Sequence, residues 1–228
     1  EELLSGTSGK TLENLKTSGV DTGMGLERLA MVVQKAPTGF ETDLFEPIMK
    51  LIDNSFNERE RRIIADHIKA VAFLISDGVI PSNKDQGYIL RRLMRTIASY
   101  KNVNIENLVE IIISKFKEQY SNLDKRKVIS DFEKEQDGYE KAYRNTEIEI
   151  KKHKGQPLTG FEAFGISSTL GVRVSDVVKI ADSVNIKIVD NFDKEFEEAS
   201  KRHQELSRTA SAGMFKGGLA DEKPETIK

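Results

Sequence analysis

Cysteine does not occur among the 228 residues. Its absence excludes disulfides and thiolate metal sites, and it fits a reducing compartment. Histidine is scarce as well. His67, His153 and His203 lie far apart, and no pair has zinc-ligand spacing. No apolar run reaches membrane-spanning length, and no signal-peptide pattern is present. There is no internal repeat and no low-complexity tract. Charge of one sign is also lacking: the formal net charge is −2 and the pI ≈ 6.1. The chain is therefore not a globally basic nucleic-acid binder, and any RNA surface must be a local patch.

What is present suits a packed, largely helical protein. Apolar residues make up 38% and charged residues 32%, enough for a core with many solvated faces. The mass of 25.7 kDa accommodates one large domain or two modest ones. The chain starts at Glu1 and ends in the open sequence Lys223-Pro-Glu-Thr-Ile-Lys228, so both ends read as cuts in a longer protein.

Residues 1–15 read as strand, turn and strand, the turn being Ser5-Gly-Thr-Ser-Gly9. From Gly23 the period becomes helical, with Leu26, Leu29, Ala30 and Val33 on one side. Ala36-Pro-Thr-Gly39 breaks it, and a domain boundary is expected there. Helices are then predicted over 42–53, 58–77, 88–100, 105–120 and 125–153. The 125–153 helix carries Val128, Phe132, Tyr139, Tyr143, Thr146 and Ile150 down one side. That stripe is interrupted at Glu135 and Gln136, and Gly138 weakens it, which leaves room for a kink. Thr159-Gly-Phe-Glu162 is a capping-box signature for a short helix ending near Gly171. Helices over 175–184 and 192–208 follow, then a linker from Ser211. With β first, helices after, and no βαβ alternation, the expected class is mainly α, α+β overall.

Two strings carry chemistry. The first is Val20-Asp-Thr-Gly-Met-Gly-Leu-Glu-Arg28. Its glycines let backbone approach a ligand closely, and the helix start offers unpaired N–H groups. Arg28 suits a phosphate or an aromatic ring. A capping Asp21 or Thr22, a tight turn and a surface arginine would account for the same string. The second runs through Ile64-Ala-Asp-His-Ile68, Ala72-Phe-Leu-Ile-Ser-Asp-Gly-Val-Ile-Pro-Ser-Asn83 and Gly87-Tyr-Ile-Leu-Arg-Arg92. Nine cations against five anions fall between Asn57 and Lys101, a local excess of four in a chain of net −2. Ile89, Leu90, Leu93, Met94 and Ile97 read as the buried stripe of helix 88–100, which turns Arg91, Arg92 and Arg95 away from the core. A solvated face laced with salt bridges is the alternative, and Pro-Ser-Asn83 is also ordinary turn chemistry.

Together these strings resemble the alanyl form of the class II aminoacyl-tRNA synthetases, nearly without gaps from about residue 20 to residue 100. The Gly-Met-Gly-Leu-Glu-Arg string is similar to that family's motif three. The resemblance implies ATP-dependent ligation of alanine to tRNA(Ala) in the cytoplasm, with Mg2+ accompanying ATP and no membrane involved. It maps ATP binding and catalysis to Arg28, the alanine amino group to Asp21, and adenosine contact to Gly23 and Gly25. It places the acceptor stem against Asn83, Lys84, Arg91, Arg92 and Arg95, with Asn83 at a G·U pair whose guanine amine is free in the minor groove. Ser168 falls where the family has an aspartate that reads the same pair, so G·U recognition here departs from the pattern. The implied division is 1–38 as the end of a class II antiparallel catalytic core, 39–210 as a helical tRNA-recognition domain, and 211–228 as a linker. The family's first two motifs would precede Glu1, so these residues alone are expected to be inactive. Zinc belongs to the family's editing domain, which would follow Lys228, and no metal is expected within these residues. A non-catalytic RNA-binding or adaptor protein built on the same helices is the rival reading.

Overall fold

The computed structural model describes residues 2–4, 11–13, 19, 22–153 and 155–211. Asp21 and the 212–228 part of the expected linker lie outside them. The chain divides into two compact units, Glu1–Lys50 and Leu51–Lys228.

In the first unit, β1 (Glu2–Leu4) pairs antiparallel with β2 (Thr11–Glu13), Leu3 opposite Leu12. Helix α1 (Leu26–Gln34) follows, with Gly25 as its N-cap in extended backbone. Among the described residues α1 buries no side chain, and Leu26, Leu29, Val32 and Val33 are all exposed. Lys35 ends it in the left-handed region. A one-turn 3-10 helix over Gly39–Glu41 is closed by a Thr38–Glu41 capping box.

The helix expected at 42 starts later, as α2 (Glu46–Leu51). Pro47 explains the delay. Proline has no N–H to donate and its ring clashes with the preceding turn, so it sits only in the first turn of a helix. Thr42 instead donates its hydroxyl to the Gly39 carbonyl at 2.6 Å.

The second unit is helical. Its helices are α3 (Glu58–Ser76), α4 (Asp85–Ala98), α5 (Ile105–Phe116), α6 (Lys125–Lys151), α7 (Gly160–Leu170), α8 (Val174–Ser183) and α9 (Phe192–Ser211). Asn57 and Glu60 cap α3 reciprocally, each accepting the other's backbone N–H at 3.0 Å. Ile64, Ile68, Val71 and Ile75 form its buried line, as their spacing predicts. That line packs on α4, α5 and α6.

Helix α6 is the shared wall of two cores. Its N-terminal half, through Val128 and Phe132, closes the α3–α5 cluster. Its C-terminal half, through Tyr139, Ala142 and Ile150, closes a second cluster with Leu158, Ala163, Val177, Ile180, Ile186 and Phe192. At about 1.5 Å per residue, α6 runs roughly 40 Å and joins both cores. The Tyr139 hydroxyl donates to the buried Asp176 carboxylate on α8 at 2.5 Å. Arg173, just before α8, donates to the Ser99 hydroxyl at 2.7 Å and stacks on Tyr100.

The Thr159–Glu162 capping box starts α7, and Gly171 in the left-handed region stops it. The α7 start lies so close to α9 that a Cβ at Gly160 would overlap the Phe192 carbonyl oxygen. No described helix is long and apolar enough to cross a membrane.

Candidate nucleic-acid interface

The loop before α4 is built by its own hydrogen bonds. The Ser82 N–H donates to the Gly87 carbonyl at 3.1 Å, and the Ser82 hydroxyl donates to the Lys84 carbonyl at 2.9 Å. The Lys84 N–H returns a bond to the Ser82 hydroxyl at 3.2 Å. This fold brings the loop so near the helix that only glycine fits at 87. A Cβ there would overlap the Ser82 hydroxyl and the Ile80 carbonyl oxygen. Asp85 enters the helix at φ 50, where a residue other than glycine is strained by about 1–2 kcal/mol. The helix begins at Asp85 rather than Tyr88, its first turn closed by the Tyr88 N–H donating to the Lys84 carbonyl at 3.0 Å. Asn83 and Lys84, between the two tethers, are exposed.

The arginines of α4 do not share one environment. Arg92 is exposed, as its spacing predicts. Arg95 corrects the expectation that all three turn outward. It is buried, its side chain only 11% exposed. Its Nε donates to Glu135 Oε1 on α6 at 2.5 Å, and its Nη1 donates to the carbonyls of Leu170 and Gly171, each at 3.0 Å. Arg95 thus closes the C-terminal end of α7, where unpaired carbonyls and the negative end of the helix dipole favour a cation. Ile89, assigned to the core stripe, is 50% exposed instead. Leu90, Met94 and Ile97 suffice to fill the core, and Arg95 occupies the adjoining face.

Arg91 stands between. Its Nε donates to the same Glu135 oxygen at 2.9 Å, and its Nη1 donates to the side-chain carbonyl of Asn83. The Glu135 side chain is 14% exposed, so two guanidiniums share one sheltered carboxylate. The triad keeps one surplus positive charge. Among the described residues, Arg59, Lys84, Arg92 and Lys101 are exposed and in no ion pair, whereas Arg62 is held by Glu58 at 2.8 Å. The local excess of cations therefore resolves into an exposed set and an internally engaged set.

Ser168 lies exposed in the last turn of α7 and donates its hydroxyl to the Gly165 carbonyl at 3.1 Å. It is two residues before Leu170, whose carbonyl Arg95 holds. In the sequence Glu135 reads only as a gap in the α6 stripe. The available signal was a carboxylate on the apolar line between Phe132 and Tyr139, in a chain whose α4 carries three arginines.

In the first unit, Gly23, Gly25 and Arg28 are exposed, with Arg28 on the first turn of α1 and its side chain near Gly25. A Cβ at Gly23 would meet nothing within 4 Å. The described residues contain no cluster of three His, Cys, Asp or Glu side chains able to hold a metal.

Comparison with known proteins supplies a context for this arrangement. The family model described as "tRNA synthetases class II (A)" matches residues 4–223. An alanine–tRNA ligase of Borrelia hermsii is 35% identical, over 95% of this chain and 40% of the relative. One from Pediococcus pentosaceus is 32% identical, over 95% of this chain and 28% of the relative. One from Prochlorococcus marinus is 35% identical, over 86% of this chain and 25% of the relative. The chain thus spans between a quarter and two fifths of the length of these relatives.

Proposed function

We propose a function from one premise: the chain belongs to the class II tRNA synthetases, of the alanyl type. The helical unit holds the acceptor stem of tRNA(Ala), and the whole enzyme esterifies that tRNA with alanine at the expense of ATP. The single observation that supports this reading is the Asn83 loop. It offers an exposed amide next to the exposed cation Lys84, on a loop that its own hydrogen bonds and Gly87 hold in shape, and the helix that follows carries the exposed Arg92.

The chemistry follows from that placement. Lys84 and Arg92 approach phosphates, which supply most RNA affinity and no sequence information. Asn83 reads the minor groove. Its Oδ1 has two lone pairs, one engaged by Arg91; the other accepts from a guanine amine, and the Nδ2 protons donate to a neighbouring oxygen. Arg91 and Arg95 act from behind this surface rather than on the phosphates. Ser168 brings one hydroxyl to the same groove.

In the first unit we assign the Gly23–Gly25 turn to adenosine and Arg28 to ATP phosphate, with Asp21 at the alanine amino group. The strand pair and α1 then form the end of a class II antiparallel core over residues 1–38, 39–210 the tRNA-recognition domain, and 211–228 a linker. When bound, Mg2+ would offset charge on the ATP phosphates. Activation of alanine needs core elements beyond these 228 residues, so clear alanine-dependent pyrophosphate exchange by the purified chain would contradict this division. Binding is the direct test. The chain should bind an acceptor-stem minihelix of tRNA(Ala) more tightly than an unrelated hairpin of equal length. Equal binding would favour a non-specific adaptor.

A further inference from the structure

We propose that Glu135 on α6 is a positioning residue for specificity, tying the Asn83 loop and the Ser168 turn into one reading surface. The proposal rests on the assignment of Asn83 to the acceptor stem.

The chain of contacts is continuous. Asn83 accepts from Arg91 Nη1, Arg91 Nε donates to Glu135 Oε1, the same oxygen accepts from Arg95 Nε, and Arg95 Nη1 holds the Leu170 and Gly171 carbonyls. Six groups from the loop, α4, α6 and the α7 terminus are thereby linked, with one Glu135 carboxylate oxygen at the centre. Sequence separations of 44 and 40 residues from Glu135 to Arg91 and Arg95 mean that no local geometry enforces this link. The two guanidiniums repel one another, and Glu135 holds them together. Without its charge, Arg91 would turn to solvent and release Asn83. Arg95 would keep its carbonyls but lose the contact that orients its fork.

Packing supports a rigid rather than a loose link. A Cβ at Gly171 would overlap Arg95 Nη1, so the guanidinium lies directly against the α7 stop. On α6, Gly138 stands one turn from Glu135, and a Cβ there would meet Arg95 Nη2 at an ordinary 4.0 Å. The link therefore transmits position from α7 to the loop through groups with little freedom.

The test uses the 228-residue chain as wild type, Glu135→Gln, Arg91→Lys, Asn83→Ala and Glu135→Gln/Asn83→Ala. Circular dichroism first establishes which variants fold. Arg91→Lys keeps the charge without the fork, and it serves if Glu135→Gln does not fold. Two readouts follow. The first is the side-chain amide NMR signal of Asn83 together with the Gly171 backbone amide, without RNA. Glu135→Gln or Arg91→Lys should move the Asn83 signal, and Glu135→Gln should also move Gly171. The second is the ratio of affinities for minihelices differing only in G·U or G·C. Glu135→Gln should lower it by two- to tenfold, the worth of one hydrogen bond, while affinity for the G·C form holds. In the Asn83→Ala background it should lower the ratio no further. An unmoved Asn83 signal overturns the link. A moved signal with an unchanged ratio, or an equal loss in both backgrounds, overturns the specificity role. A wild-type chain without any G·U preference overturns the underlying acceptor-stem reading and the specificity role with it, while the NMR readout still decides the link.

Discussion

Arg91 donates from one nitrogen of its guanidinium to the side-chain carbonyl of Asn83. An exposed asparagine is thus oriented before any ligand arrives. An immobilised side chain loses less rotamer freedom on binding than a free one, which favours selective contact. The same bond divides the roles of the basic residues, because Arg91 is occupied while Arg92 and Lys84 are not.

Two classes of substitution should therefore separate. Asn83→Ala should lower the preference for a G·U over a G·C minihelix by about two- to tenfold and leave the salt dependence of binding unchanged. Arg92→Ala should weaken both RNAs equally and reduce the salt slope by about one contact. Fluorescence anisotropy at several salt concentrations checks both. A changed salt slope in Asn83→Ala would show that the assignment is reversed.

Ser168 is exposed, uncharged and short. Ser168→Asp should sharpen G·U preference, because a carboxylate bonded to a guanine amine is roughly twice as strong as a neutral hydroxyl contact. A single neutral bond is worth about 0.5–1.5 kcal/mol, so Ser168→Ala should cost tenfold at most. Competition binding with the two minihelices decides. Complete loss of preference in Ser168→Ala, with Asn83→Ala unaffected, would make Ser168 the reader.

Gly87 lies under the loop, and an alanine there would meet the Ile80 carbonyl, a backbone atom that cannot rotate away. Gly87→Ala should displace residues 80–84, reduce minihelix selectivity, and destabilise the fold by about 1–3 kcal/mol, as overpacking does. Chemical denaturation with parallel binding measurements would reveal it. A fold of unchanged stability with intact selectivity would mean the loop is not held as described.

Tyr139 and Asp176 are both buried, and their bond joins α6 to α8. Tyr139→Phe leaves the carboxylate short of a donor and should cost about 1–3 kcal/mol. Burial, and then the hydrogen bond to the Asp176 carboxylate, push the Tyr139 hydroxyl well above the ordinary phenol range. In the unfolded chain it ionises near pH 10. A raised folded value means the stabilisation is complete below about pH 10 and is lost as pH rises above it, with a limiting slope of about 1.4 kcal/mol per pH unit. Denaturation from pH 8 to 11 should show a steeper alkaline loss in wild type than in Tyr139→Phe. Equal slopes would contradict the buried hydroxyl.

The parts legible in the sequence were those that depend on near neighbours. Thr159 and Glu162 form their capping box because both partners lie within one turn. Ile64, Ile68, Val71 and Ile75 are buried because the helical period alone selects one face. The burial of Arg95 is not legible locally, because its partners, Glu135, Leu170 and Gly171, lie 40 to 76 residues away. Periodicity counts an arginine as solvated, and only tertiary structure supplies the carboxylate and carbonyls that let it be buried. For the same reason Glu135 read as a flaw in the α6 stripe, where the structure has the centre of an ion triad. The late start of α2 was legible in principle, since Pro47 fixes it.

Selection of an RNA acceptor stem by a G·U pair, proposed for the helical unit, stands or falls on a single comparison. The purified 228-residue chain is titrated into two acceptor-stem minihelices that differ only in having G·U or G·C at that pair, at the same salt concentration. Binding to the G·U form should be tighter by about two- to tenfold, with both affinities falling as salt rises. Equal affinity for the two minihelices at every salt concentration would contradict it.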